Sequence, residues 1–345
     1  MIEYLPWSTH EYKRCLDVYL KGNLSILDIE LGGQCNYHCI YCDSPNREKK
    51  CMVSISQVEK LFQEFQIKWV FVCGLGEPTA QGNLEILLGI LKLCERYEAK
   101  CSIFTNLSTL SSAIEEYIKK GILNILFKYD SSDIVKAIRL YGAPNVNKQI
   151  YNIEKIKKYV QIKDNKANIA ASIVPTKVNK NEIASIVKDC LNHGIFPLIA
   201  ELEDSGEAHE YYSQLALSEE ELTQIKSAVN EIIQEEYRVP VCPAVICGIH
   251  IRYDGKVTVD EYTGLSCHWF WLQEPKTYVV GDFNTEKISE LISKIECYRQ
   301  KQYKNIQNVL VQKSHFVFGG CGGDAISLLQ NYVEVYERRH QNDLS

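Results

Sequence analysis

The chain has no run of about 18 apolar residues, and hydropathy therefore gives it no membrane-spanning helix. It also lacks a basic N-terminal region followed by an apolar stretch, the pattern of a secretory signal. A cytoplasmic location is expected, and with it reduced thiols. Positive charge is in short supply: 38 Lys and Arg face 44 Asp and Glu, a net charge of −6. Nucleic-acid binders usually carry a basic excess, so that class is disfavoured. Internal repeats and low-complexity segments are absent as well.

What the chain does have is cysteine, 14 of them in 345 residues. In a reducing compartment they are not a disulfide framework, and those that cluster read as metal ligands. Seven stand singly in apolar or helical surroundings: Cys15, Cys51, Cys73, Cys94, Cys101, Cys190 and Cys297. They are expected to be small buried hydrophobes. The other seven form two groups.

Short apolar runs alternate with helical periodicity through the first 200 residues. The runs are ILDIEL (26–31), WVFVCG (69–74), CSIFTN (101–106), ILFKYD (125–130), ASIVP (171–175) and FPLIAELE (196–203). Strand then helix, repeated, implies right-handed crossovers and a parallel sheet. Six units give a partial (β/α)6 TIM-like barrel, with an open doubly wound sheet as the alternative. Three runs carry charges at period two: Asp28 and Glu30, Lys128 and Asp130, Glu201 and Glu203. Each pair shares one face of its strand. Such faces are either solvated edges or the polar lining of a barrel that encloses a substrate cavity.

After Arg238 helical periodicity stops, and IHIRYDGKVTV reads as a hairpin turning at Asp254-Gly255. The expected division is an N-terminal extension (1–23), a barrel (24–237) and a small C-terminal α+β cluster-binding domain ending in a helix (238–345).

Cys35, Cys39 and Cys42 follow the first strand in the pattern C-x3-C-x2-C. In (β/α) barrels that is the end where active sites are built. Three thiolates on one tight loop can hold three corners of an iron–sulfur cubane and leave the fourth iron open to a ligand. Zinc is the alternative, although zinc loops usually pair as C-x2-C with further ligands. The triplet, with Tyr41 before its last cysteine, resembles the signature of the radical S-adenosylmethionine (SAM) superfamily. Cys73-Gly74-Leu75-Gly76-Glu77-Pro78 resembles that family's GGEP motif, with Leu75 in place of a glycine. The resemblance covers roughly residues 24–205. It implies a [4Fe–4S] cluster that chelates SAM at its open iron and cleaves it to a 5′-deoxyadenosyl radical. It implies cofactor contacts from Tyr41, Gly74, Gly76, Glu77, Asn106 and Ser172.

The second group is Cys242, Cys247, Cys267 and Cys321, in turn-rich sequence. Four thiolates close a metal site, and a structural zinc has the same ligand count. Their order around a hairpin, a following helix and a final C-G-G resembles the SPASM/twitch extensions of radical SAM enzymes. The resemblance implies one auxiliary [4Fe–4S] cluster; the cysteines for a second are missing. A closed cluster suits electron transfer, taking an electron from a substrate radical while a base takes the proton. His268, beside Cys267, stands where relatives carry an acidic residue with that role, and Glu201, Glu203 and Asp204 are further polar partners for substrate. The implied function is oxidative modification of a small metabolite or a peptide, with an external electron donor such as flavodoxin or ferredoxin. Only about 25 residues precede the first strand, too few for a leader-recognition domain. A non-catalytic electron carrier or a zinc-stabilised binding module is the reading from another class.

Overall fold

The computed structural model describes residues 9–42, 50–72, 74–160, 167–238, 242, 244–260, 277–309, 318 and 325–340. Helix α1 (Thr9–Leu20) leads into β1 (Ile26–Ile29). The βα units then follow one another: α2 (Ile55–Glu64), β2 (Trp69–Val72), α3 (Gln81–Arg96), β3 (Lys100–Thr105), α4 (Ser112–Lys119) and β4 (Leu123–Lys128). Two helices, α5 (Ile134–Tyr141) and α6 (Val146–Val160), precede β5 (Ile169–Ile173), α7 (Ile183–Asn192) and β6 (Phe196–Ile199). The chain continues through α8 (Ala208–Leu215), α9 (Glu219–Ile233), a single turn α10 (Ala244–Cys247), β7 (Gly248–Ile251), β8 (Lys256–Asp260) and β9 (Thr277–Asp282). It ends in α11 (Ile288–Val309) and α12 (Ala325–Arg339).

Among the described residues nine strands form one sheet in the order β6-β5-β4-β3-β2-β1-β7-β8-β9. Strands β1 to β6 are parallel and lie in sequence order, as successive right-handed crossovers require. This is a partial (β/α)6 barrel, open rather than closed. The C-terminal hairpin does not stand apart from it. Strand β7 pairs parallel with β1, and β8 and β9 extend the sheet antiparallel. Gly255, at φ +81, makes the turn between β7 and β8.

Sequence explains the packing locally. In α3, Leu87, Ile90, Leu91 and Cys94 recur at helical spacing and are buried. Ser54 caps α2 and Ser218 caps α9, each in a reciprocal capping box. Strands β1, β2 and β6 are buried along their whole length, as strands covered on both faces must be. Leu27 and Ile29 of β1 join the main apolar core, while Asp28 between them faces a cavity on the other side. Of the single cysteines, Cys15, Cys94, Cys101 and Cys190 are fully buried. Cys51 is half-buried, and Cys297 is exposed on α11, contrary to expectation.

Candidate active site

A cavity of about 250 Å³ lies at the C-terminal ends of the parallel strands. Cys35, Cys39 and Cys42 line it, together with Tyr41, Gly74, Gly76, Glu77, Asn106 and Ser172. The sequence reading scattered these residues over 138 positions, from Cys35 to Ser172, and the fold brings them to one place.

The cysteine loop is held from several sides. The end of α5 is its platform: His38 N–H donates to the Tyr141 carbonyl at 2.9 Å and Ile40 N–H to the Leu140 carbonyl at 3.0 Å. Gly142 ends α5 in the left-handed conformation, and a side chain there would press on the His38 carbonyl. Tyr37 stacks on Tyr141 with ring centroids 5.7 Å apart. On another side, the Cys42 carbonyl accepts from Glu207 N–H at 2.8 Å. The hydroxyl of Tyr41 donates to the buried carboxylate of Asp130. Lys128 Nζ stands 4.8 Å from the centre of the Tyr41 ring.

Glu77 is an organiser of the second loop. One of its oxygens accepts from Thr79 N–H at 3.1 Å, Thr79 Oγ1 at 2.6 Å and Thr105 Oγ1 at 2.6 Å. The other accepts from Asn106 N–H at 2.7 Å. Asn106 Nδ2 in turn donates to Asn36 Oδ1 at 2.9 Å and lies 3.9 Å from Cys35 Sγ. Asn83 ties the loops together from below, donating to the Gly32 carbonyl at 3.0 Å and the Glu77 carbonyl at 2.9 Å.

The donor set suits a cluster. Burial pushes the Cys39 thiol up to about 12, with Lys128 pulling the other way. A thiolate at that depth needs a cation bonded to it, and iron provides one. Among the described residues no three His, Cys, Asp or Glu side chains converge tightly enough for a single metal ion.

Glu201 and Glu203 line the same cavity, and Glu201 accepts from Phe318 N–H at 2.6 Å. Asp204 turns instead to the surface, 2.8 Å from His209. Cys242 lines the cavity as well. Cys247 is buried behind it, where burial pushes its thiol up to about 12 while Arg299 and Arg339 draw it down. Cys267, His268 and Cys321 lie outside the described residues.

Sequence reasoning proposed no role for one buried group. His250, on β7, places Nδ1 2.9 Å from Asp28 Oδ2 and Nε2 3.7 Å from Glu30 Oε1. Burial alone would lower its pKa; Asp28 and Glu30 outweigh that and raise it from 6.5 to about 10. The folded protein therefore holds a proton that the unfolded chain gives up. Its stabilising contribution is complete below about 6.5 and is lost as pH climbs to about 10. Relative to His250→Gln, wild-type stability should fall over that window by up to about 1.4 kcal/mol per pH unit. Urea midpoints measured across the window test this, and a constant gap between the two proteins would contradict it.

An open parallel half-barrel with three cysteines at the end of its first strand defines the radical SAM class of fold. Residues 29–190 match the family model described as the Radical SAM superfamily. Among solved structures the chain resembles Streptococcus suis SuiB bound to S-adenosylmethionine, with a TM-score of 0.59 and 17% identity over 84% of this chain and 71% of that one. SuiB bound to the precursor peptide SuiA gives 0.58 and 18%, over 85% and 70%. anSMEcpe with bound AdoMet and the Cp18Cys peptide gives 0.56 and 14%, over 92% of this chain and 97% of that one. At these identities the likeness is one of fold. No curated protein matches the chain by sequence. Among the described residues no helix is long and apolar enough to cross a membrane.

Proposed function

We propose that this chain is a radical SAM enzyme that oxidises a residue of a peptide. The observation that carries the reading is the shared cavity: the three cysteines, the Gly74–Glu77 loop and Cys242 of the C-terminal group all line it. Cys35, Cys39 and Cys42 would hold a [4Fe–4S] cluster. Bound there with SAM, it supplies the 5′-deoxyadenosyl radical that takes a hydrogen atom from substrate. Gly74 and Gly76 let the backbone approach the cofactor, and Tyr41, Asn106 and Ser172 complete its walls. Glu201 and Glu203 meet the substrate at the mouth.

Cys242, Cys247, Cys267 and Cys321 would hold an auxiliary [4Fe–4S] cluster in a SPASM/twitch-like region, within the division 1–23, 24–237 and 238–345. Cys242 on the cavity wall supports a route for one electron out of the substrate radical. An external donor of the flavodoxin or ferredoxin kind would supply the electron that reduces the SAM-binding cluster before cleavage. A peptide is favoured because solved structures of this fold include complexes with SuiA and Cp18Cys peptides.

The test is isotope transfer. Anaerobically reconstituted protein is given SAM, a reductant and short blocked peptides containing β-deuterated serine, threonine or cysteine. Deuterium should enter 5′-deoxyadenosine. If it enters only from small alcohols or amines, the substrate is a metabolite and the peptide reading falls.

A further inference from the structure

Helix α5 shows solvent an apolar face where a surface helix normally shows polar residues. Ile134 is 38% exposed, Val135 70% and Ile138 40%. Of the eight large apolar side chains exposed among the described residues, these three share one eight-residue helix. At about 3.6 residues per turn they fall with Arg139 and Gly142 within one arc of about 140°. The buried Ala137, Leu140 and Tyr141 occupy the other side.

The stripe ends at the cysteine loop. Gly142 stands near the middle of the exposed arc, and a Cβ there would lie 2.3 Å from the His38 carbonyl oxygen and 3.1 Å from His38 Cβ. His38 is exposed and directly precedes Cys39. A body seated on this face of α5 therefore abuts the backbone that carries the three cysteines. Charge along the stripe is uneven. Arg139 lies within it, and Lys148 is exposed in the first turn of α6, just beyond it. Among the described residues no carboxylate pairs with either. The acidic groups stand elsewhere: Asp133 caps the far end of α5, Glu182 is bound to Lys136, and Glu207 lies on the opposite flank of the loop, behind Cys42. A chain of net charge −6 thus keeps a positive, apolar-centred patch beside its cysteine triplet.

We propose that this face of α5 is the docking surface for the external electron donor, an acidic carrier of the flavodoxin type. The inference rests on the radical SAM reading above and names the partner of that site. An oxidised cluster takes one electron before SAM is cleaved. Tunnelling weakens steeply with distance, so the donor has to seat where the cysteine loop comes to the surface. A flavodoxin presents the apolar edge of its flavin inside an acidic rim. Val135 and Ile138 meet the edge, and Arg139 and Lys148 meet the rim. One electron passes from the reduced flavin to the cluster, and no bond is made or broken.

The experiment compares two reductants. Formation of 5′-deoxyadenosine is followed in reconstituted wild type, Val135→Asp, the double variant Arg139→Glu with Lys148→Glu, and Lys92→Glu, which reverses an exposed lysine on α3. Each is driven by dithionite, or by flavodoxin kept reduced with NADPH and flavodoxin reductase. With dithionite all four proteins should match. With flavodoxin the double variant should be slower by about 10-fold or more, the scale of lost electrostatic steering. Val135→Asp should fall by a smaller factor and Lys92→Glu should not change. Added salt should slow the flavodoxin-driven wild type and leave the double variant little affected. Equal flavodoxin-driven rates in wild type and the double variant overturn the docking surface and leave the radical SAM reading standing. No product from wild type under dithionite overturns that reading, and the docking surface with it. Should the double variant lose activity with both reductants, calorimetric titration with flavodoxin decides: an affinity equal to that of wild type overturns the proposal, and a loss of about 10-fold upholds it.

Discussion

Cys39→Ala protein, reconstituted and reduced, should form no 5′-deoxyadenosine. Of the three cysteines Cys39 is the deepest, 6% exposed, packed in the cluster that contains Tyr37, Tyr41 and Tyr141. Water cannot easily replace its sulfur there as a ligand. Iron content should fall by about four per chain, the content of one cubane, and the C-terminal cysteines should keep theirs. The fold should survive, because a thiol-to-methyl change removes little volume at a site backed by α5. Iron analysis, circular dichroism and product chromatography read the three outcomes. Persistent 5′-deoxyadenosine in this variant would remove the triplet from the chemistry.

Gly76→Ala should abolish SAM binding at a second point. Gly76 sits at φ +71, in the left-handed region. Its missing side chain would overlap the Gly32 carbonyl oxygen and stand 2.7 Å from the Gln34 carbonyl oxygen. Those carbonyls belong to the loop that carries the cysteines, so the two loops are in closest approach at this residue. Backbone strain alone costs about 1–3 kcal/mol, and overlap adds a similar amount. Gly22→Ala is the control. Gly22 also has a positive φ, +84, but nothing lies within 4 Å of its added Cβ. It should lose stability from strain only and bind SAM as the wild type does. Equilibrium binding and thermal melts of the two variants compare them; equal SAM affinity in Gly76→Ala and wild type would mean the loops tolerate separation.

The strands that build the cavity were legible because their patterns are local. The period-two charges left a solvated edge and a polar inner face both open; of the three pairs, Asp28, Lys128, Glu201 and Glu203 line the cavity, while Glu30 and Asp130 are buried without lining it. The helix α5 was not legible. It has only eight residues, and Ile134, Val135 and Ile138 are all exposed, which blurs its apolar stripe. Yet its last residues carry the cysteine loop. Nor could sequence place His250 beside Asp28. The pairing of β7 with β1 joins positions 222 residues apart, and no short-range signal encodes it. Asp130 was seen as a charge on β4, whereas its partnership with Tyr41 depends on the loop folding back over the strand ends.

The place of β1 in the sheet has a mechanical consequence. A half-barrel made of six strands alone would end at β1, with a row of unsatisfied backbone groups beside its most reactive loop. Such a border invites pairing with a foreign strand. Here β7 occupies that border and is hydrogen-bonded along the whole of β1. The strand that delivers the three cysteines is thus clamped from both flanks by its own chain. The end of β1 that leads into the cysteine loop is thereby covered on its open border by a strand of the same chain.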